Sequence, residues 1–474
     1  MMINQASAWF LHLLTRKKRQ DTAARRQNRR MTTSDTYRTP SIDADVPQPD
    51  IGVTRFSGDR FYSREFMAKE WGQLWRRTWN MGPRLEEFSA VGDFVIHNLG
   101  QESFIFVMTR ENMVQAFYNV CQHRGKRIVC NQRTGNVRFF QCGFHAWSWN
   151  IDGSIKGVPD QETYPQFRNG LPQDELALSD IRVDIWGGWV WFNIDGDAEP
   201  LLQYLDVLPK HIAPYRMEDM RTFVNATFLW DCNWKIAVDA FNESYHFRGI
   251  HPEMMKWSNA DAKLEILGKH SRMINEYGAP SKPHRETREI TERMAAYMRY
   301  FGLDPQTYEG PAKEVRIEKQ KINRQQVADG LAPHLPYNDM TDEQLSDVYH
   351  YFYFPGAAQN IFPEGVNTFR YRPHETDPNK CYYDLIMMGH FPPDQEPPKV
   401  EHVYFDHKVQ YVDLLDPTLE VASFILQQDA DNVPEVQQGV QSEGYKGMVL
   451  GDQEIRVRHF HNMIDRYLEG SESQ

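Results

Sequence analysis

Cysteine is scarce in this 474-residue sequence, which has only five: Cys121, Cys130, Cys142, Cys232 and Cys381. Cysteines this few and this scattered exclude a disulfide framework and favour a reducing compartment, so we expect a cytoplasmic protein. No apolar run approaches the roughly 18 residues that a membrane span requires. Basic residues are outnumbered by acids, and the net charge of −12 argues against nucleic acid as a partner.

Aromatic residues, by contrast, are plentiful at 13% of the chain, and hydrophobic residues make up 41%. This composition indicates a globular protein with aromatic side chains in its interior. The length of 474 residues allows two or three domains.

The first thirty residues differ from the rest, because eight Lys and Arg residues face a single acid, Asp21. The apolar stretch at 7–14 is too short to cross a bilayer. This segment is either a targeting or surface-anchoring arm or the product of an upstream start codon, with Met31 as the true beginning. We favour the second interpretation, and in both cases we expect residues 1–45 to form a disordered arm.

Short segments of β-branched and aromatic residues, separated by Gly and polar turns, predict a small all-β domain over residues 80–198. Its last strand is expected at 186–192, with Gly187 and Gly188 forming a bulge. The clearest strands before it are predicted at 93–98, 103–109 and 113–120.

Residues 46–79 and 199–474 are assigned to a second, larger domain, so the expected fold class is α+β. Helical spacing of apolar residues predicts helices at 63–79, 287–301 and 452–468, the last of them packed on the surface. Aromatic and alternating runs predict strands at 349–355, 369–373 and 382–391.

Residues 233–251 contain a candidate site for a single metal ion. As a helix, this segment places Asp239, Glu243 and His246 on one face, and the chain loosens afterwards so that His251 can approach His246. Two histidines and a carboxylate with open positions are typical of non-haem ferrous iron that activates oxygen. Two histidines five residues apart are also typical of an ordinary polar face, so the pattern alone leaves both interpretations open.

A second constellation lies in the predicted β domain, where Cys121-x-His123 is followed by Cys142-x-x-His145. A zinc site is one interpretation, but zinc sites usually group cysteine with cysteine and histidine with histidine. Here each loop supplies one of each, as needed when two cysteines hold one iron and two histidines hold the other. We therefore predict a Rieske 2Fe–2S centre. The other three cysteines have no partner at ligand spacing and are interpreted as ordinary buried thiols.

Together with Asn-Trp-Lys at 233–235, these motifs resemble the large (alpha) subunit of the Rieske non-haem iron ring-hydroxylating oxygenases, from about residue 55 to the C-terminus. The resemblance implies a catalytic domain built on an antiparallel sheet with covering helices, of the helix-grip type. Gly143, Phe144 and Ala146 depart from the usual second cluster loop, but none of them stands at a ligand position.

The resemblance also assigns roles outside the cluster. It implies His246, His251 and Asp429 as ligands of a mononuclear iron, with Asp431 in reserve should the register be wrong. Glu243 then becomes a catalytic bridge whose carboxylate accepts hydrogen bonds from the cluster histidine His145 and the iron histidine His246. In the trimeric members of the family this bridge crosses a subunit interface.

Four residues are further assigned to a substrate pocket: Asp239, Phe247, His350 and Phe352. The aromatic-rich surroundings favour a hydrophobic, ring-bearing substrate. Plain sheet core is the alternative interpretation for the aromatic strand at 349–355.

The activity implied by the resemblance is that of a terminal oxygenase, which activates O2 at the iron with electrons from the cluster. We favour cis-dihydroxylation of an aromatic or other hydrophobic ring. A monooxygenase or an O- or N-demethylase on the same scaffold is the first alternative. A Rieske electron-transfer protein without oxygenase activity and a degenerate relative are the others.

The sequence has no G-x-G-x-x-G fingerprint and no further cysteine motif for a ferredoxin cluster. We therefore expect a separate NAD(P)H-dependent reductase, with or without a ferredoxin. The resemblance also implies a homotrimer, either alone or with a small β subunit as α3β3.

Overall fold

The structure, a computed structural model, describes residues 49–405, 410–411 and 420–470. The predicted N-terminal arm at 1–45, with the alternative start at Met31, lies outside these residues. Within them, no helix combines the length and the apolar character that a membrane crossing requires.

Helices and strands alternate in long blocks rather than in βαβ units. The α-helices of the described residues are α1 (Arg64–Glu70), α2 (Gln173–Leu176), α3 (Leu201–Leu205), α4 (Leu208–Ile212), α5 (Trp234–Phe241), α6 (Glu292–Tyr300), α7 (Val315–Ala328), α8 (Glu420–Val440) and α9 (Ile455–Leu468). The first ten strands are β1 (Asn80–Arg84), β2 (Asp93–Leu99), β3 (Glu102–Arg110), β4 (Met113–Tyr118), β5 (Thr134–Asn136), β6 (Phe139–Gln141), β7 (Ser148–Asn150), β8 (Ile155–Gly157), β9 (Asp180–Trp186) and β10 (Trp189–Asn193). The remaining strands are β11 (Arg221–Trp230), β12 (Lys263–Leu267), β13 (His270–Asn275), β14 (Val348–Tyr353), β15 (Ala357–Ile361), β16 (Gly365–Pro373), β17 (Cys381–Gly389) and β18 (Val403–Phe405).

The strands form three sheets. The first has seven strands in the order β1-β10-β9-β4-β3-β2-β5, and the second has three in the order β6-β7-β8. The third has eight strands in the order β12-β13-β14-β15-β16-β17-β11-β18, and only its β11–β18 pair is parallel. The predicted α+β class with a large antiparallel sheet is therefore confirmed. Strands β1 to β10 fall within the predicted 80–198 segment, although the division into domains stays a prediction.

Strand β3 shows how the sheets are layered. Phe104 and Phe106 face the core that the seven-stranded sheet shares with the eight-stranded sheet. Ile105 and Val107, which point the opposite way, pack into a separate core that includes Cys142. The cysteine-bearing loops therefore rest on a core of their own.

The pair Gly187 and Gly188 was predicted to form a bulge, and this prediction is wrong. The two residues form the turn of a tight hairpin, in which Trp186 pairs directly with Trp189. Both glycines have positive φ angles, +60° and +75°, as the favoured two-residue hairpin turns require. The clustered aromatic residues belong to two strands rather than to one.

The predicted helices exist, but their bounds and burial differ from expectation. The first ends at Glu70 and continues as a π-helical turn over Trp71–Trp75, and the second begins only at Glu292. The C-terminal helix α9 is not packed on the surface, because nine of its fourteen residues are buried. It packs against β12 and the π-helical turn, so its sequence contains buried polar residues that an amphipathic pattern does not predict.

A buried ionic cluster joins the two large sheets. Asp384 on β17 accepts hydrogen bonds from Arg370 and Arg372 on β16 at 2.7 to 2.9 Å. Arg370 also donates to the Gly82 carbonyl on β1 at 2.5 Å, and Arg372 donates to the Asn98 carbonyl on β2 at 2.8 Å. The carboxylate thus fixes the two arginines that connect the eight-stranded sheet to the seven-stranded one.

We expect Asp384→Asn to lower the free energy of unfolding by about 3–5 kcal/mol, because the buried Arg370 guanidinium and the largely buried Arg372 guanidinium lose their counter-charge. Burial alone would raise the pKa of Asp384, but Arg372 and Arg370 hold it far below its usual value. The stabilisation is therefore complete above the unfolded-state pKa of about 3.9 and is lost progressively between that pH and the much lower folded-state pKa, so that pH 3 reaches only the first part of the loss. Urea unfolding from pH 8 to pH 3 measures this difference.

The matched control for that series is Asp342→Asn, which removes a salt bridge to Arg324 whose two side chains are 63% and 39% exposed. A pair this exposed contributes about 0–1 kcal/mol. Equal losses in the two variants would contradict the structural role assigned to Asp384.

Candidate metal centres and the adjoining cavity

Two tight loops present the four predicted cluster ligands. The first loop follows β4 and is closed by a hydrogen bond from the Gly125 amide to the Cys121 carbonyl at 3.0 Å. The second joins β6 to β7 and is closed by a bond from the Ala146 amide to the Cys142 carbonyl at 3.1 Å. Gly125 and Ala146 both have positive φ angles, as such compact turns require.

The four side chains converge as a cluster site requires. The Cys121 and Cys142 thiols are buried and close enough to hydrogen-bond to each other, and burial raises the pKa of Cys121. The His123 and His145 ring centroids are 4.6 Å apart, and His123 stacks on Trp147 at 4.7 Å. The Nδ1 atom of His123 is buried and has no hydrogen-bond partner among the described residues. Two thiols, two imidazoles and an unpartnered ring nitrogen fit a Rieske cluster.

The segment that carries the iron histidines is not one helix, as predicted, but two short helices. The Asn233 side chain caps α5 by accepting a bond from the Lys235 amide, and α5 ends at Phe241. A 3₁₀-helix over Tyr245–Arg248 then carries His246. The break between them separates Asp239 from the residues around His246.

His246, His251 and Asp429 meet at one point, with a nitrogen or oxygen atom of each within 4.8 Å of the others. Asp429 lies on α8, and its Oδ1 is 3.0 Å from His251 Nε2 and 3.9 Å from His246 Nε2. Asp431, the reserve candidate, instead accepts a hydrogen bond from Gln427 on an exposed part of α8. The geometry thus favours Asp429 as the third ligand, with two nitrogens and a carboxylate fitting non-haem iron.

Each histidine of this triad has its other ring nitrogen held by a neighbour. Glu243 Oε1 lies 2.8 Å from His246 Nδ1, and Gln428 Oε1 lies 2.7 Å from His251 Nδ1. Both neighbours accept hydrogen bonds, so both imidazoles carry a proton on Nδ1 and turn the Nε2 lone pair toward the shared point. Sequence reasoning missed Gln428, since only the helical course of α8 brings it to His251 together with Asp429.

Glu243 makes a second bond, from the His246 backbone amide to its Oε2 at 3.0 Å. Burial would lower the pKa of His246, but the hydrogen bond to Glu243 and the charges of Glu243 and Asp429 raise it. Among the described residues of this single chain, Glu243 does not contact His145. The bridge from the iron histidine to a cluster histidine therefore stays a prediction.

A cavity of about 620 Å³ opens beside the triad, and all three triad residues line it. Most of its wall is apolar and comes from α5, α8 and the eight-stranded sheet. Representative apolar lining residues are Phe223, Phe241, Met254, Phe369, Leu426 and Ile425.

Two of the four predicted pocket residues, Phe247 and His350, line this cavity, whereas Asp239 and Phe352 do not. Asp239 lies on α5 and accepts a hydrogen bond from His461 of α9 at 3.0 Å. Phe352 is on the cavity side of its strand, but the Phe460 ring of α9 covers it at a centroid distance of 5.3 Å. Helix α9 contacts both residues and so keeps Asp239 and Phe352 out of the cavity wall. The sequence did not reveal where this helix packs.

The cavity wall also includes a charged pair that sequence reasoning missed. The buried Lys319 ammonium is 3.0 Å from the Glu364 carboxylate and faces the Tyr297 ring at 5.3 Å. Lys319 stands in a charged helix, α7, in which four of the five buried residues are polar or charged: Arg316, Lys319, Gln320 and Asn323. Such a pattern resembles a solvated helix and therefore gives no sequence signal for a cavity wall.

The three remaining cysteines behave differently from one another. Cys232 and Cys381 are buried as predicted, and their sulfur atoms are 3.9 Å apart. Cys130, also predicted to be buried, is exposed, because it follows the first cluster loop at the surface and donates to the Arg127 carbonyl at 3.1 Å.

Comparison with known proteins gives matches to two family models. A model for the ring hydroxylating alpha subunit (catalytic domain) matches residues 210–470, and a Rieske [2Fe-2S] domain model matches residues 78–168. The first of these covers more than half of the chain.

Among curated proteins, the glycine betaine monooxygenase oxygenase subunit of Pseudomonas aeruginosa is 26% identical over 48% of this chain and 49% of its own length. The carnitine monooxygenase oxygenase subunit of Escherichia coli is 25% identical over 60% of this chain and 76% of its own. The biphenyl 2,3-dioxygenase subunit alpha of Rhodococcus jostii is 27% identical over 43% of this chain and 45% of its own length. The chain thus spans about half the length of the first and third of these relatives.

Solved structures show the same fold at lower sequence identity. The quaternary ammonium Rieske monooxygenase CntA with L-carnitine has a TM-score of 0.61 and 14% identity, covering 88% of this chain and 96% of that one. Naphthalene 1,2-dioxygenase with indole has a TM-score of 0.62 and 18% identity, covering 88% and 93%.

Proposed function

The chain belongs to the Rieske-type ring-hydroxylating oxygenase alpha subunits, and from that premise we propose that it is a terminal oxygenase acting on a hydrophobic, ring-bearing substrate. Its cofactors are a Rieske 2Fe–2S cluster and a mononuclear iron. The observation that carries the proposal is that His246, His251 and Asp429 line a cavity of about 620 Å³ whose wall is mainly apolar.

The bound cofactors supply single electrons and the oxygen chemistry, and this chain's residues prepare the site for them. Glu243 and Gln428 hold a proton on Nδ1 of His246 and His251, which leaves each Nε2 unprotonated for the metal. Phe241 and Phe369 line the same cavity as these ligands, and their apolar surface excludes water and favours a flat ring. Glu243 is the carboxylate through which we propose that the electron and its proton arrive.

The mainly apolar wall of the cavity supports a ring-bearing substrate. A volume of about 620 Å³ lies within the range of about 300–1,000 Å³ that is usual for drug-sized ligands. We therefore propose cis-dihydroxylation of an aromatic substrate, as in the relative named biphenyl 2,3-dioxygenase. Monooxygenation or demethylation is the second candidate, because other relatives are named as glycine betaine and carnitine monooxygenases.

The proposed function also implies an electron donor and an oligomeric state for this chain. A separate NAD(P)H-dependent reductase, with or without a ferredoxin, would reduce the cluster. A homotrimer, with or without a small β subunit, would place one chain's cluster beside another chain's Glu243. A cytoplasmic location also stays a prediction.

Turnover under ¹⁸O₂ with a surrogate reductase tests the proposal, using biphenyl, naphthalene, glycine betaine and carnitine as substrates. Two labelled oxygens in a ring product are expected. One labelled oxygen in a ring product would replace the dioxygenase proposal with the monooxygenase one. Turnover of the quaternary ammonium compounds alone, or of no compound, would contradict the assignment of a ring substrate.

A further inference from the structure

A strip of polar side chains crosses the mainly apolar sheet wall of the cavity, to which Asn275 on β13 adds one more polar side chain. His350 on β14 pairs directly with Asn360 on β15, which pairs with Asn367 on β16. Met273 and Met387 pair with the two ends of this strip, and all five residues line the cavity. Directly paired residues share one face of a sheet, so the strip forms a continuous polar line. Its most buried polar member, His350, is 2% exposed.

Arg456 on α9 fixes the state of this histidine. Arg456 is fully buried, and its guanidinium donates to Ser271 Oγ, to the Asn242 carbonyl and to Asn242 Oδ1. A fourth contact joins Arg456 Nη2 to His350 Nδ1 at 2.9 Å. A guanidinium group can only donate, so Nδ1 accepts and the ring proton is on Nε2. His350 is therefore an N–H donor on its other nitrogen.

The same surroundings keep His350 neutral. Burial and the Arg456 charge hold the pKa of His350 well below its usual value, and they outweigh an opposing contact with its own backbone carbonyl. Its Nε2 atom is buried and has no hydrogen-bond partner among the described residues. A buried donor without a partner is costly, and a ligand that supplies an acceptor removes that cost.

We propose that His350 Nε2–H, together with the Asn360 and Asn367 amides, is a subsite for an acceptor oxygen carried by the ring substrate. The proposal rests on the proposed function and narrows its substrate class to aromatic compounds with a carbonyl or similar neutral oxygen, in preference to bare hydrocarbons. The ring lies against the apolar wall and the oxygen against the polar strip. Arg456 is a positioning residue that sets the tautomer of His350.

Paired probes that differ only in the acceptor atom test the subsite. Acetophenone, 2-acetylnaphthalene and 9-fluorenone are each compared with the isostere in which C=CH₂ replaces C=O. Binding to the cofactor-loaded full chain is measured by anaerobic calorimetry without reductant, so that no turnover occurs. The wild type is expected to bind at least one ketone about tenfold more tightly than its isostere, which is the effect of one well-placed hydrogen bond.

Two variants and a control assign that preference to His350. His350→Leu should reduce the ketone-to-isostere ratio to within about twofold, since the donor is gone. His350→Gln, which can accept from Arg456 and still donate, should keep part of the ratio. Ile361→Val, next to Asn360 in β15 but in the core on the opposite face of the sheet, should leave the ratio unchanged and serves as the matched control.

Equal binding of ketones and isosteres by the wild type would overturn the subsite but leave the ring-substrate proposal intact. A preference that survives in His350→Leu would also overturn it, because another group would then be the donor. Failure of all six probes to bind would overturn both proposals together. If His350→Leu does not fold, the ketone-to-isostere ratio of the wild type and the part of it that His350→Gln retains test the subsite instead.

Discussion

Replacing Asp429 with Ala is expected to remove the mononuclear iron, about one iron atom per chain, while the cluster stays in place. Asp429 supplies the only carboxylate of the triad, and its Oδ1 lies 3.0 Å from His251 Nε2. Without it, two neutral imidazoles remain, which bind ferrous iron too weakly to survive purification. Turnover should fall to background. Iron analysis and the visible spectrum of the cluster measure the two sites separately.

The control for this substitution is two residues away on the same helix. Asp431 accepts a hydrogen bond from Gln427 and is exposed, so Asp431→Ala should keep full iron content and near-normal turnover. Iron loss in Asp431→Ala but not in Asp429→Ala would show that the alignment of this segment with the family is shifted by two residues. Loss of the cluster absorbance in Asp429→Ala would instead point to general unfolding.

Glu243→Gln is expected to retain both metals but to slow turnover by about 10- to 100-fold. Glutamine preserves the shape of the side chain and can still accept the bond from His246 Nδ1, which is 2.8 Å away in the wild type. It cannot provide the negative charge that stabilises a proton near the cluster and the iron during electron transfer. The decay of the reduced-cluster spectrum after mixing with O2 and substrate measures this step directly.

Glu454→Gln is the matched control, because its carboxylate and that of Glu243 are close enough to interact electrostatically. Among the described residues, the Glu454 carboxylate accepts a hydrogen bond only from the Gly451 amide, at 2.9 Å. We expect cluster decay in this variant within about twofold of the wild type. Normal turnover in Glu243→Gln would reduce Glu243 to a residue that merely orients His246. Loss of iron in that variant would show that its charge is needed for metal binding rather than for electron transfer.

The cluster ligands could be predicted from the sequence, because they depend only on short-range spacing. Cys121, His123, Cys142 and His145 stand in two short loops, so their spacing nearly determines their geometry. Asp429 lies 178 residues from His251, and no local pattern connects the two. It was identified only through resemblance to a family, which supplies long-range information that spacing lacks.

The features of the site that could not be predicted are those that depend on which helix covers which face of the eight-stranded sheet. Helix α9 reads as a surface helix, yet it places Phe460 over Phe352 and Arg456 beside His350. Buried arginine and histidine residues disguise its inner face, since polar residues normally indicate exposure. The prediction of a bulge at Gly187 and Gly188 failed for another reason. Bulges and two-residue hairpin turns both favour glycine, so the residue type did not distinguish them.

Exposure of a single thiol gives this protein a built-in attachment site for a probe. Cys121 and Cys142 are expected to be ligated, Cys232 and Cys381 are buried, and Cys130 alone among the cysteines is exposed. A maleimide spin label should therefore react at one position per chain without any engineered cysteine. Pulsed dipolar spectroscopy would give one distance between chains for a symmetric oligomer and none for a monomer, so the labelled protein reports whether its chains associate.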